Sequence, residues 1–478
     1  MEEKKQKRRI WWKILLAVVI LVLAGVGGWL GYLYHIDHTT LGRKLSIYSI
    51  DVSERTADEA MKLVQQAFAV EKVTIREEDG GTLETTIKEL GYSLNEENLR
   101  AALENIQTER RKTFRPVEKQ TEYRIGYKAD LDEAKAGTVL VSSGFGEKER
   151  KPSTDAVIRY DKKKKQYKVI SDTLGTEIDE KALFTYVTGK LDEEIREELL
   201  GNREVILDKS IYKKPSKTVT KEMKQKVKKL NKRLKIYRSS PVTYTFGDST
   251  EVIDKAKIES WINIGKEKVS LDQDKIREYV YNLAVNYDTI YGPRSFHTSE
   301  GTDITVSGNE YGYQIDQEQE FKQLIKDLTS GKAVTREPVY SIRGFKRNGR
   351  DDLAGSYIEV SIDRQHLWLY KDGNLVTQTD IVSGAPTPER QTYRGAWPIP
   401  FKASPFDLSS QEYGYKVTVK YWMPFVYGQG LHDASWQKAF GGNRYKTGAG
   451  SHGCINLPED QAALIYNTID AGYPIIIY

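Results

Sequence analysis

Disulfide chemistry within this chain is excluded by a count: its 478 residues contain one cysteine, Cys454. Histidine is scarce as well, with six residues, and no Cys-x-x-Cys or His-Glu-x-x-His pairing is present to suggest a structural or catalytic zinc site. There is no broad excess of one charge, since 73 Lys and Arg face 68 Asp and Glu. Most of the surplus sits in the first thirteen residues, so the remainder is close to neutral and its net charge does not point to a nucleic-acid binder. A hydrophobic fraction of only 39% with 30 tyrosines fits wide, wet surfaces on β-rich modules, and the length allows three or four of them.

There is a single long apolar run. Residues 1–13 (MEEKKQKRRIWWK) carry six basic side chains against two glutamates, and Ile14 to Tyr34 follows with 21 uncharged residues, the length of a membrane-spanning helix. Trp11, Trp12, Trp29, Tyr32 and Tyr34 lie at its ends, where interfacial aromatics belong, and the basic flank predicts a cytoplasmic N-terminus. Small residues at Ala24 to Gly27 raise a cleaved signal peptide as the competing reading. The run exceeds the about 7–15 residues of such a segment and ends in aromatics, which favours a retained signal-anchor. The expected topology is a cytoplasmic tail (1–13), a transmembrane helix (14–34) in the cell membrane, and extracytoplasmic modules. In that oxidising space a lone thiol is left free for chemistry.

Cys454 lies in SHGCINLPED, two residues after His452 and directly after Gly453, while His432 stands 22 residues upstream in GLHDASW. Thiol acyl transfer needs this set: a sulfur that can ionise, an imidazole to take its proton, and backbone N–H groups exposed by a turn. A lone cysteine is often a small buried hydrophobe, but the polar run around this one is poor core material. Zinc held by His432, His452, Cys454 and Asp433 would require an unusual His-x-Cys spacing. No metal and no cofactor are therefore expected.

The same residues resemble the signature of the L,D-transpeptidase (YkuD-type) catalytic domain, in which HD or HG precedes SHGC[IV][NR]L by about twenty residues. His432, Asp433, Ser451, His452, Gly453, Cys454, Ile455, Asn456 and Leu457 match it. The stretch from Ser356 (SYIEVSIDRQHLWLYKDGNLVTQTDIVSG) resembles the family's opening strands, and Lys420 to Pro424 reads KYWMP. One departure is visible: the family's Thr-Pro-x-Gly is replaced by Thr392, Tyr393, Arg394 and Gly395, with Thr387 and Pro388 displaced upstream.

The resemblance implies a β-rich, sandwich-like catalytic domain over 355–478 that forms peptidoglycan cross-links between third-position residues through a thioester on Cys454. His432 would be the base, held in its tautomer by the Asp433 carbonyl, and carbapenems would acylate the thiol. The N–H groups of Gly453 and Cys454, with His452, would make the oxyanion hole, and Ser451 and Asn456 would brace the turn. Tyr421, Trp422 and Asn456 are the expected substrate-side residues, with Trp436 nearby, although such aromatics serve equally well as core. An L,D-carboxypeptidase or an enzyme attaching proteins to the wall would use the same site. A wall-binding scaffold with a silent site is the alternative of another class.

Upstream, a short pattern recurs three times: Leu90 to Asn95 (LGYSLN), Leu174 to Asp179 (LGTEID) and Tyr311 to Asp316 (YGYQID). Each ends on an Asn or Asp placed to cap a following amphipathic helix, and each follows a strand-like stretch, so all three read as α+β units. The expected divisions are a membrane-proximal module (45–124) and two modules (125–238 and 239–345) resembling the peptidoglycan-binding modules of Gram-positive L,D-transpeptidases. RSFHTS at Arg294 to Ser299 and GNEYGYQID at Gly308 to Asp316 carry that resemblance; rigid spacers are the plainer reading. Lys209 to Arg238 holds thirteen basic residues and one Glu, with Met223, Val227, Leu230 and Leu234 at helical spacing, which predicts a basic amphipathic helix after Thr220. Its outer face reads first as a solvated charged surface, with contact to anionic wall polymers or lipid headgroups as the alternative. Gly344 to Gly355 (GFKRNGRDDLAG) has the composition of an interdomain linker. The expected partners are peptidoglycan stem peptides, the cell membrane and such anionic polymers, with no nucleic acid.

Overall fold

The apolar run forms part of one helix, Glu2–Thr39, whose side chains are exposed over the span and become buried only at Leu33, Ile36 and Asp37. It is long and apolar enough to cross a membrane. The computed structural model describes residues 1–78, 80–142, 149–411 and 414–478. These divide into two compact units, Met1–Val157 with Ile170–Thr220, and Ile158–Val169 with Lys221–Tyr478.

The two units share a topology. In the first, the helix Ala57–Ala69 leads into a hairpin of Lys72–Glu77 and Thr82–Thr86, and Arg203–Leu207 returns to lie parallel to Lys72–Glu77. In the second, the helix Lys221–Arg238 leads into the hairpin Val242–Phe246 and Ser249–Ile253, and Val334–Arg336 returns parallel to Val242–Phe246. The returning strand follows a helix capped by Asp179 in one case and by Asp316 in the other, so LGTEID and YGYQID occupy equivalent places. Asn95 also caps a helix, Glu96–Arg111, but that helix is inserted between the paired strands Tyr92–Leu94 and Ala129–Leu131 and has no counterpart among the described residues of the second unit.

This pairing moves the divisions expected at 124/125 and 238/239. Arg203–Leu207 completes a sheet begun at Lys72, and the basic helix opens a module instead of closing one. That helix turns Leu230, Leu234 and Tyr237 into a core shared with Val242, Tyr244 and Phe246, as its 3.6-residue spacing requires. The stretch 344–355 is likewise no open linker. The Arg347 guanidinium lies 4.4 Å from the Tyr313 ring and donates to the Tyr287 carbonyl at 2.8 Å, while Asp352, 1% exposed, accepts from Arg294 Nη2 at 2.8 Å. The mixed charges that suggest a solvated linker are thus satisfied inside the second unit.

The C-terminal domain is β-rich. Its larger sheet orders the strands Asn374–Asp380, His366–Lys371, Tyr357–Ser361, Tyr473–Ile477 and Gly395–Ile399, with the third and fourth parallel. Ile358, Val360, Ile475 and Ile477 alternate onto one face and pack with Met423, Leu431, Ile455 and Leu457 of a smaller sheet and with Ala462 and Ile465 of the helix Glu459–Thr468. Each such aliphatic side chain contributes about 1.5–3 kcal/mol when fully buried. Ile476 and Ala396 point the other way, under Phe296, Val306 and Tyr311 of the preceding module. Burial on both faces explains the continuous apolar run at the chain's end.

Candidate active site

The smaller sheet positions the chemistry. Trp422 pairs with His432 across the antiparallel strands Trp422–Val426 and Gln429–Asp433, and His432 pairs with Asn456 of the parallel strand Ile455–Leu457. Paired residues share a face, and Cys454, two positions before Asn456, emerges on that face where the strand begins. Gly430 allows the close packing beneath it: a Cβ there would meet the Trp422 ring at 2.5 Å and the Met423 carbonyl at 2.8 Å.

His432 is 3% exposed, and its Nδ1 stands 2.9 Å from the Asp433 carbonyl oxygen. A carbonyl only accepts, so Nδ1 carries the proton and Nε2 is the basic nitrogen. Burial pushes the imidazole below its usual pKa, with the Asp433 backbone bond and charge opposing. The Asp433 carboxylate is engaged elsewhere, accepting from the Tyr421 N–H at 2.8 Å. Burial also raises the half-buried Cys454 thiol to about 11, against a hydrogen bond from the Gly430 backbone. The resting pair is therefore neutral thiol and neutral imidazole.

The thiol sits at a turn tied down from three sides. Gly453 has φ +116°, and a Cβ there would fall 2.2 Å from Gln429 Nε2. Ser451 Oγ accepts from the Gly453 N–H at 3.0 Å and donates to the Cys454 carbonyl. The Gly453 N–H expected in the oxyanion hole is thus already engaged by Ser451. Thr392 Oγ1 donates to the Gly453 carbonyl at 2.8 Å and accepts from the Gly384 N–H at 2.9 Å. Gln429 holds the stretch that carries Thr392, donating to the Gln391 carbonyl and accepting from the Tyr393 N–H, each at 2.9 Å. Thr392 and Gln429 carry no local sequence signal; the departure from Thr-Pro-x-Gly at Thr392 marked the loop but not its contact.

Cys454, His432, His452, Ser451, Asn456 and Trp436 line one cavity of about 610 Å³. Asn456 Oδ1 is buried and has no hydrogen-bond partner among the described residues. Half-buried His452 is held below its usual pKa by burial and by the positive charge of Arg390. Tyr421 and Trp422, expected on the substrate side, are not in the cavity wall. Trp422 is 3% exposed and stacks on Phe406 behind the imidazole, and Tyr421 packs against Tyr466. Trp436, 48% exposed and 5.7 Å from the His432 ring, takes that position. Among the described residues no three His, Cys, Asp or Glu side chains converge as metal ligands.

Residues 355–477 match the L,D-transpeptidase catalytic domain family, and residues 223–336 match a peptidoglycan binding domain family. A structure of the Ldtfm–avibactam carbamoyl enzyme is 32% identical over 52% of this chain and 98% of its own, with a TM-score of 0.45. A cysteine-to-serine mutant of the Enterococcus faecium L,D-transpeptidase is 31% identical over 52% and 98%, with a TM-score of 0.45. The catalytic domain of the E. faecium enzyme acylated by ertapenem is 39% identical over 26% and 97%, with a TM-score of 0.24. No curated protein sequence matches.

The chain belongs to the YkuD-type L,D-transpeptidases. It is an L,D-transpeptidase whose β-rich catalytic domain follows α+β modules, one of them a peptidoglycan-binding domain, and its partner is peptidoglycan.

Proposed function

We propose that Cys454 carries the acyl group of a peptidoglycan stem as a thioester during cross-linking. His432 Nε2 takes the thiol proton as sulfur adds to the carbonyl between the third residue and the terminal D-Ala. The tetrahedral oxyanion is received by the Cys454 N–H, with His452 at its side. His432 returns the proton to the leaving amine and D-Ala departs; the side-chain amine of a neighbouring stem then attacks the thioester, the C–S bond breaks, and His432 passes the amine proton to the departing sulfur, joining two third-position residues. The observation that carries this reading is the His432 Nδ1 to Asp433 carbonyl bond, because it leaves the basic nitrogen available beside a thiol too weakly acidic to ionise unaided. Asp433 acts through its carbonyl, and Ser451 holds the turn.

The helix through residues 14–34 is proposed as a single-pass anchor with residues 1–13 in the cytoplasm, which places residues 355–478 on the wall side. The exposed, uncharged surface of that helix and its basic flank support this. The lysines of Lys221–Arg238 that face solvent offer a contact for anionic wall polymer. Protease added to wall-stripped cells should reach a tag after Tyr478 and spare one before Met1; a protected C-terminus excludes the topology.

Intact-protein mass spectrometry tests the chemistry. After incubation with L-Ala-D-isoglutamyl-L-Lys-D-Ala or its meso-diaminopimelate counterpart, the protein should gain the stem mass less D-Ala. An adduct mapping away from Cys454, or one persisting in Cys454→Ser, overturns the assignment.

A further inference from the structure

We propose that Arg390 and Arg444, with Lys438, form the subsite that holds the free carboxylate of the donor's terminal D-amino acid, so that the enzyme selects stems ending in an acid. The inference presupposes that Cys454 accepts the stem acyl group and adds which residues recognise the group that leaves.

All three cations line the cavity that contains Cys454, and no Asp or Glu is among the described residues of its wall. A cavity wall with three positive groups and no acid among its described residues favours an anion. The two arginines differ from ordinary surface cations. Arg390 and Arg444 are each partly buried, and the Nε of each is inaccessible to solvent and without a hydrogen-bond partner among the described residues. A partly buried guanidinium is a costly charge to leave uncompensated, and its planar fork matches a carboxylate. Arg390 is also fixed in place: its Nη2 donates to the Gly450 carbonyl at 2.9 Å, one residue before Ser451. Its charge is felt at His452, next to the turn that carries the thiol.

Chain geometry favours the terminal carboxylate over others on a stem. Successive residues advance by about 3.8 Å, so a carboxylate one residue beyond the scissile carbonyl falls within the same small cavity. The second-residue carboxylate lies two residues back along the acyl side.

The test uses the full chain and three donors: the tetrapeptide acid, the same peptide with a C-terminal amide, and the acid with its second residue as D-isoglutamine. Single-turnover thioester formation is followed by mass spectrometry. Wild type should acylate with the acid at least tenfold faster than with the amide, at subsaturating donor, and should be indifferent to the D-isoglutamine change. Arg390→Gln and Arg444→Gln should each lose about tenfold with the acid, while with the amide all variants are as slow as wild type, so that losses from protein and ligand do not add. Arg390→Lys should recover part of the rate. Should Arg390→Gln fail to fold by circular dichroism, Arg444→Gln and the exposed Lys438→Gln decide the matter by the same comparison. Equal wild-type rates with acid and amide overturn the subsite, and a loss that follows the D-isoglutamine change moves the recognition to the acyl side. A chain that forms no thioester with any stem refutes the underlying donor reading.

Discussion

The Nδ1 atom of His432 lies 2.9 Å from the carbonyl oxygen of the next residue, Asp433. A backbone acceptor orients this imidazole, where a buried carboxylate orients it in a serine-protease-like triad. With little solvent around it, burial outweighs the backbone bond and charge of Asp433, and the ring is held below its usual pKa.

His432→Ala should slow acylation by a carbapenem by about 10²–10⁴. His452→Ala should lose less, because His452 adjoins the turn on the partly exposed side of the cavity. Asp433→Asn retains the carbonyl and should stay within about tenfold of wild type. Single-turnover acylation rates with folded variants check all three, and a larger loss for His452→Ala would exchange the two histidine roles.

Alkylation of Cys454 by iodoacetamide should rise with pH toward about 11, well above the range of an ordinary thiol. Stability has the corresponding sign. The folded thiol keeps its proton more tightly than the unfolded one, so its contribution is complete below the unfolded value near 9 and declines as pH rises toward 11. Chemical denaturation across that range should show a smaller decline for Cys454→Ala than for wild type. An alkylation midpoint near 8 would mean that the thiol is not held by burial.

Gly453→Ala must adopt a positive φ and displace Gln429 Nε2. The backbone strain alone costs about 1–3 kcal/mol, so loss of acylation with a lowered melting temperature is expected. Thr392→Val keeps the shape of the side chain but leaves the Gly453 carbonyl without its donor. It should cost about 1–3 kcal/mol, with acylation falling while the global fold persists by circular dichroism.

Arg347→Ala distinguishes a packed segment from a flexible linker. Removing the guanidinium vacates the Tyr313 ring face and leaves the Tyr287 carbonyl without this donor. A loss of about 2 kcal/mol or more in the stability of the second unit is expected from denaturant unfolding; an unchanged midpoint would return residues 344–355 to the status of a linker.

What the sequence by itself determined here is local. The thiol turn, the histidine 22 residues upstream, the apolar span, the capped helices after Asn95, Asp179 and Asp316, and the C-terminal strand were legible because each depends on neighbours within one element. Tertiary structure alone decided the rest. Arg203–Leu207 joins Lys72–Glu77 across more than a hundred residues, a pairing that no window of sequence reports. Trp422 and Trp436 are equally aromatic, and only strand register sends one behind His432 and leaves the other at the cavity. Thr392 bonds the Gly453 carbonyl and Arg390 the Gly450 carbonyl from positions distant in the chain, and Gln429 braces the residues on either side of Thr392. The Gly453 amide, free on paper, is taken by Ser451 because the positive φ that makes the turn also aims that N–H at the hydroxyl.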